Sequence, residues 1–202
     1  MQSYTTREEW LQAALVLMFE MVFASAGIQP RQWASKKYRV SCGFPIGYRG
    51  SKTGKVTLGQ AFDASISADG TMEVFVNPLV ADPNEVLRIL LHESIHVFCG
   101  IECGHKGEFA RLAKAVGFLT PMTQTPAGPA LLATLNDIAD ILGEYPHAAI
   151  DPTLRKKQGT RMLKIKCESC GFTARASLKW QSTITPYSHC PACNEVGSLV
   201  TD

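Results

Sequence analysis

The sequence predicts an α+β fold in which helices pack around a small β-sheet and a smaller β unit follows towards the C-terminus. Three observations lead to this prediction. Strand-like runs separated by turn residues lie between residues 38 and 76. The chain beyond residue 151 is again strand-like and contains four of the seven cysteines. Apolar residues recur at helical spacing in four segments, at residues 6–26, 84–98, 108–116 and 130–142.

The first helix is expected over residues 6–26, with Thr6 as its N-cap and Gly27 at its end. Its apolar run, residues 11–19, could be mistaken for part of a signal peptide. Two glutamates before the run and Glu20 after it argue against a signal peptide. The run is also too short to cross a membrane. Since a chain of 202 residues needs no disulfides to fold, we expect a reducing, cytoplasmic environment.

Three strands are expected after this point, followed by three helices. The last predicted strand is followed by Asn77-Pro78, which stops it, and the next helix starts at Asp82-Pro83 with Glu85 completing a capping box. In the last predicted helix, Leu132, Leu135, Ile138 and Ile141 are expected on the buried side. The predicted strands are residues 38–44, 55–62 and 71–76.

The helix at 84–98 contains the pattern His92-Glu93-Ser94-Ile95-His96. Histidines four residues apart lie on one helical face, within reach of one zinc ion. Glu93 can then accept and donate protons as a general base and acid without binding the metal. Two ordinary surface histidines are the alternative interpretation. The helix is otherwise very apolar, and buried imidazoles need partners, which favours a metal site.

A catalytic zinc needs a third protein ligand and one open position. His105 is the best candidate, because it follows breaks at Gly100 and Gly104 that let the chain turn back. A carboxylate or a thiolate nearby could replace it. The rival ligands are Cys99, Glu102, Cys103 and Glu108.

The pattern His92-Glu93-x-x-His96, followed by His105 and Phe109 in the segment Gly-His-Lys-Gly-Glu-Phe, resembles the SprT-like family of zincin metallopeptidases. The resemblance covers roughly residues 6–118. It implies a zincin-like domain with His92, His96 and His105 as zinc ligands and Glu93 as the catalytic base. The family often carries a C-terminal zinc ribbon, and its members include Spartan-type proteases that degrade proteins crosslinked to DNA. The cysteines that flank residues 100–102 are not explained by the family pattern.

The C-terminal cysteines form two Cys-x-x-Cys pairs, Cys167/Cys170 and Cys190/Cys193, separated by 19 residues. This spacing is typical of a four-cysteine zinc ribbon, and four thiolates leave no open position, so the zinc is structural. Two redox dithiols or disulfides are the alternative. Gly171 and Asn194 follow the pairs and tolerate a left-handed backbone. His189 could replace one cysteine.

The formal charge is uneven, at −2 for residues 1–150 and +4 for residues 151–202. A basic tail favours a polyanionic partner. Trp180 and Tyr187 could stack on bases, or they could pack the small ribbon core while the lysines are merely solvated. The candidate nucleic-acid-binding residues are Lys156, Lys157, Arg161, Lys164 and Lys166.

We therefore expect two domains, a metallopeptidase domain at 1–150 and a basic zinc ribbon at 151–202, with one catalytic and one structural Zn²⁺. The expected substrate is protein, with DNA as a partner of the ribbon and no membrane. The alternative is a nucleic-acid-binding zinc-ribbon protein with a non-proteolytic zincin core, and another zinc hydrolase such as an amidase is a third interpretation. Tyr48 and Tyr145 are candidates for oxyanion stabilisation.

Overall fold

The chain divides into two compact units, Met1–Asp151 and Pro152–Asp202. Both helices and small sheets are present, so the α+β class expected from the sequence is confirmed. In the part of the chain that the structure describes, none of the helices combines the length and the apolar composition that a membrane crossing requires. The structure, a computed structural model, describes residues 4–29, 35–45, 56–151, 154, 162–184 and 187–201.

The first helix, α1, spans Arg7–Met18 and continues as a π-helix over Phe19–Phe23. Thr6 caps it as expected. The Glu9 N–H donates to the Thr6 hydroxyl at 3.2 Å, and the Glu9 carboxylate accepts from the Thr6 N–H at 3.1 Å. The apolar side of α1 is buried against the first sheet and two other helices of this unit.

The first sheet contains β1 (Tyr38–Cys42), β2 (Gly59–Phe62) and β3 (Met72–Val76), in the order β1-β3-β2. Strand β1 runs parallel to β3, and β2 runs antiparallel to it. The observed strands are shorter than expected, and Lys55 lies outside the described residues. Among the described strands, β2 is at an edge of the sheet.

The central helix, α2, spans Pro83–Cys99. Its cap is as expected, with the Glu85 N–H donating to the Asp82 carboxylate at 2.9 Å. The expected return bond of a capping box is not formed, because the Glu85 carboxylate accepts from Arg88 Nε at 2.8 Å instead. Every residue from position 89 to 97 is buried. The helix contacts β2, β3, α1 and the two helices that follow it in the chain, so it lies at the centre of the core.

Two further helices, α3 (Gly107–Ala115) and α4 (Pro129–Leu142), complete the first unit. The predicted buried side of α4 is partly wrong, because Leu132 and Ile141 are 47% and 54% exposed. Leu135 and Ile138 are buried as expected, and Leu131 and Leu142 are buried in place of the other two. Both sets have helical spacing, so periodicity alone could not choose between them. Packing against α1 and α2 determines which side of α4 is buried.

The second unit contains β4 (Met162–Cys167), β5 (Thr173–Ser177) and β6 (Leu199–Thr201), in an antiparallel sheet of order β5-β4-β6. The described residues of this unit contain few buried apolar groups, chiefly Ile165, Cys167 and Cys190. A core this small does not stabilise a fold by hydrophobic burial alone. Two of these three buried groups, Cys167 and Cys190, belong to the paired cysteines.

Candidate metal centres

His92 and His96 lie one turn apart on α2, with their ring centroids 5.1 Å from each other. Only 9% and 8% of these residues are exposed, because α2 is packed on several sides. The expected arrangement of two imidazoles on one helical face is therefore present.

His105 is brought to the same place by a sharp change of chain direction after α2. Gly100 ends α2 at a φ of 92°, a single 3₁₀ turn follows at Ile101–Cys103, and Gly104 has a φ of 50°. Positive φ angles suit glycine, so these two residues permit the turn. The His105 ring then lies 5.1 Å from His92 and 5.0 Å from His96, measured between centroids.

The three histidines form one potential metal-ligand group. Each offers one ring nitrogen, and these atoms all lie within 4.8 Å of one another. The Nε2 atoms of His92 and His105 are 3.1 Å apart. His96 Nδ1 is buried, and no hydrogen-bond partner for it is found among the described residues. Three ring nitrogens this close together can hold a metal ion.

Phe109 supports this cluster from α3. Its ring, which is fully buried, lies 4.3 Å from the His96 ring, 4.9 Å from His92 and 5.1 Å from His105, measured between centroids. One aromatic ring therefore packs against all three imidazoles and restricts how each can rotate. The sequence placed Phe109 near His105 but did not reveal this contact with all three histidines.

Thr125 was missed by the sequence analysis. Its Oγ1 lies 2.8 Å from His92 Nδ1, and the residue is fully buried. It comes from the connection between α3 and α4, 33 positions after the histidine it contacts. No local pattern marks it, because a threonine before a proline in a loop is an ordinary sequence feature.

The electrostatics of the cluster suit metal binding. Burial, together with repulsion from the neighbouring rings, lowers the pKa of His92 to about 3 and that of His96 to about 4. Burial also lowers the pKa of His105. At neutral pH the three rings are therefore uncharged, which is the form that binds metal ions.

Glu93 is buried beside the histidines, with 6% of the residue exposed. Burial outweighs the opposing effect of a hydrogen bond from the Ala61 backbone of β2 and raises the pKa of its carboxyl to about 8. A carboxyl group held close to neutral pH suits a role in proton transfer. A bound cation would favour its ionised form.

The four rival ligands are not part of the histidine group identified among the described residues. The Glu108 carboxylate accepts from Arg111 at 2.8 Å and 2.5 Å. The Cys103 thiol donates to the backbone carbonyl of Cys99 at 3.1 Å, and burial raises the pKa of the Cys99 thiol to about 12.

The histidine cluster lies in an open cleft of about 850 Å³. One wall is β2 with the residues before it, and the other is the segment from Thr123 to Ala127. Tyr145 does not line this cleft, since its ring packs against Trp10 with the centroids 5.0 Å apart. Tyr48 lies outside the described residues. The cleft leaves room for a ligand beside the three nitrogens.

The second unit contains a further potential metal-ligand group, formed by all four paired cysteines. The Sγ atoms of Cys167 and Cys193 are 3.8 Å apart, and those of Cys170 and Cys190 are 3.7 Å apart. Gly171 and Asn194 have φ angles of 76° and 60°, as expected for residues that follow each pair. His189 does not belong to this group.

Three of the four described basic residues of the second unit share one face of its sheet. Lys164 and Lys166 are exposed on β4, and Arg175 on β5 lies directly opposite Lys164. Trp180 and Tyr187 are 52% and 82% exposed, so packing in the ribbon core does not account for them. Lys179 Nζ lies 4.9 Å from the centroid of the Trp180 ring. Lys156, Lys157 and Arg161 lie outside the described residues.

Comparison with protein-family models, with curated proteins and with solved structures finds no match to this chain. The functional interpretation therefore rests on the residues and their geometry.

Proposed function

We propose that this protein is a zinc-dependent metallopeptidase with a zincin-like catalytic unit of the SprT-like type. The observation that carries the proposal is the cluster of His92, His96 and His105 beside Glu93 in an open cleft. Three neutral imidazoles with one side open are the donor set of a catalytic zinc site. A site that only stabilises the fold is usually closed by a fourth protein ligand.

Zinc is the metal that this donor set fits best. Imidazole ligands suit zinc, and the absence of carboxylates from the identified group argues against calcium or magnesium. The converging Nε2 atoms of His92 and His105 support metal binding. Zinc in this position supplies Lewis-acid activation of water and of the substrate carbonyl.

The residues of the chain supply the remaining chemistry. Glu93 takes a proton from the attacking water and passes it to the leaving amine, since its carboxyl lies beside the ligands without being one of them. Phe109 and the other buried neighbours keep the imidazoles in place. The edge strand β2 and the loop at 123–127 form the walls between which a peptide can lie.

The second unit is proposed to be a zinc ribbon that binds nucleic acid without sequence preference and brings the peptidase to DNA-associated protein. Lys164 and Lys166 on β4 and Arg175 on β5 place positive charge on one exposed face of the sheet, which attracts a polyanion. Exposed Trp180 adds an aromatic surface on which bases can stack. If the first unit is not proteolytic, this binding activity is the alternative function.

Elemental analysis of purified variants tests the metal assignment. We expect two zinc ions per chain in the wild type, one in His105→Ala and one in Cys170→Ser. Glu108→Ala is the matched control for the third ligand and should keep both ions, because its carboxylate is paired with Arg111. Loss of zinc in Glu108→Ala but not in His105→Ala would overturn the ligand set.

A further inference from the structure

We infer that Thr125 is a positioning residue that fixes the orientation and the tautomer of His92 for metal binding. The inference rests on the proposed metal site and adds a residue that the sequence analysis did not identify. Thr125 Oγ1 lies 2.8 Å from His92 Nδ1, and both residues are buried. This is the distance of a well-formed hydrogen bond.

The direction of this bond follows from the geometry of the cluster. His92 Nε2 points towards His105 Nε2, 3.1 Å away, so this nitrogen faces the place where the ring nitrogens converge. A metal ligand must present its lone pair there, and in a neutral imidazole the proton then resides on Nδ1. The Thr125 hydroxyl accepts that Nδ1–H. A bond of this kind selects the tautomer and raises the basicity of the nitrogen that binds the metal.

The backbone of Thr125 is held in a conformation that threonine disfavours. Its φ is +42°, in the left-handed region, where a β-branched residue is an outlier. It also precedes Pro126, and a residue before proline favours extended backbone. Strain of this sort persists only where the surroundings impose it, and it is concentrated at functional sites. Here the strained residue is the one that contacts a predicted metal ligand.

Hydrogen bonds from two sides impose this conformation. The Thr125 N–H donates to the Pro121 carbonyl at 2.9 Å, which closes a tight turn. Arg88 Nη1 donates to the Gln124 carbonyl at 2.6 Å. Arg88 precedes His92 by one helical turn, and its Nε donates to Glu85 at 2.8 Å. The helix that carries the histidine therefore also holds the loop that orients its ring.

The test compares two substitutions of Thr125 in the full-length chain. Thr125→Val keeps the branched shape and removes the hydroxyl, whereas Thr125→Ser keeps the hydroxyl. Thr134→Val on α4 is the matched control, since it removes a hydroxyl that bonds only within its own helix as far as the described contacts show. Zinc affinity is measured by competition with a chelator. The binding phase that is missing from the titration of His96→Ala is assigned to the histidine site.

We expect Thr125→Val to weaken zinc binding at the histidine site by about 10- to 100-fold. Thr125→Ser and Thr134→Val should bind as the wild type does, and the cysteine site should be unchanged in all three. Equal affinity in Thr125→Val and wild type would overturn the inference while leaving the proposed metal site intact. A wild type without a histidine-site phase would instead contradict the proposed function together with the inference.

A second measurement does not depend on any variant folding. Nitrogen-15 spectra of the histidine side chains in the zinc-loaded wild type report which ring nitrogen carries the proton. We expect His92 to bind zinc through Nε2 and to keep a slowly exchanging proton on Nδ1. Coordination through Nδ1 would overturn the inference, because the Thr125 hydroxyl could not then accept from that atom.

Discussion

Gly59 on β2 lies directly against Glu93 on α2. A Cβ atom at position 59 would come within 2.6 Å of Glu93 Oε1 and 2.5 Å of Ile89 Cγ2. No side chain fits in that space without moving its neighbours, so the strand approaches the helix closely only because residue 59 is a glycine. The same strand supplies the Ala61 backbone hydrogen bond to the Glu93 carboxylate.

Replacement of Gly59 by alanine should therefore displace the Glu93 carboxylate without touching the metal ligands. We expect Gly59→Ala to keep two zinc ions and to lose activity on the order of 100-fold in kcat, since small displacements of catalytic groups have effects of this size. Gly43→Ala is the control, because its added methyl meets only the Phe75 ring outside the cleft. Full activity in Gly59→Ala would mean that the close approach has no role in catalysis.

The pKa of Glu93 makes zinc binding dependent on pH. In the metal-free chain burial raises this pKa to about 8, so at pH 7 the carboxyl holds its proton. A bound dication lowers the pKa and releases that proton, and zinc affinity at the histidine site should therefore rise with pH up to about 8. The histidines add little to this dependence, because His92 and His96 are already uncharged above pH 4.

Calorimetric titration with zinc in buffers of different ionisation enthalpy measures the released protons. At pH 7 we expect the wild type to release about one proton more than Glu93→Gln. The cysteine site contributes equally to both proteins and cancels in the difference. Equal proton release would show that zinc binding does not remove a proton from Glu93.

Nucleic-acid binding by the second unit should depend on the basic face of its sheet. We expect affinity for DNA to fall steeply with salt, and Lys164→Gln or Arg175→Gln to reduce the slope of log affinity against log salt by about 1. Lys114→Gln, an exposed lysine of the first unit, is the matched control. Trp180→Ala should weaken single-strand binding more than duplex binding, because stacking needs unpaired bases.

Two outcomes would contradict this assignment. If Lys164→Gln and Lys114→Gln weaken binding equally, the basic face of the ribbon is not the binding surface. If the wild type fails to bind DNA at low salt, the second unit does not bind nucleic acid, and a structural role or a protein partner becomes the better explanation.

Features that depend on local sequence could be predicted. The Thr6 and Asp82 caps, the two histidines on one face of α2 and the left-handed residues Gly171 and Asn194 all follow from the chemistry of a few neighbouring residues. The third histidine was chosen from several nearby candidates with the help of a family resemblance. The structure groups it with the other two.

Features that depend on tertiary contacts could not be predicted. The parallel pairing of β1 with β3 joins strands that are separated by another strand in the sequence. Thr125 and Gly59 lie in stretches without a motif, and each acquires its role only from a neighbour more than thirty positions away. The prediction of the buried side of α4 was wrong in part, because the sequence of this helix is compatible with either of two apolar sides.

The most direct test of the central claim is protein cleavage by the zinc-loaded wild type beside Glu93→Gln. Substrates are an unfolded protein and a DNA-bound protein, each with a metal-stripped control. We expect the wild type to cleave at least one of them, zinc to restore activity after stripping, and Glu93→Gln to bind zinc yet cleave about 10²- to 10⁴-fold more slowly. Equal cleavage by both proteins, or no cleavage by a wild type with both zinc ions bound, would contradict the metallopeptidase assignment.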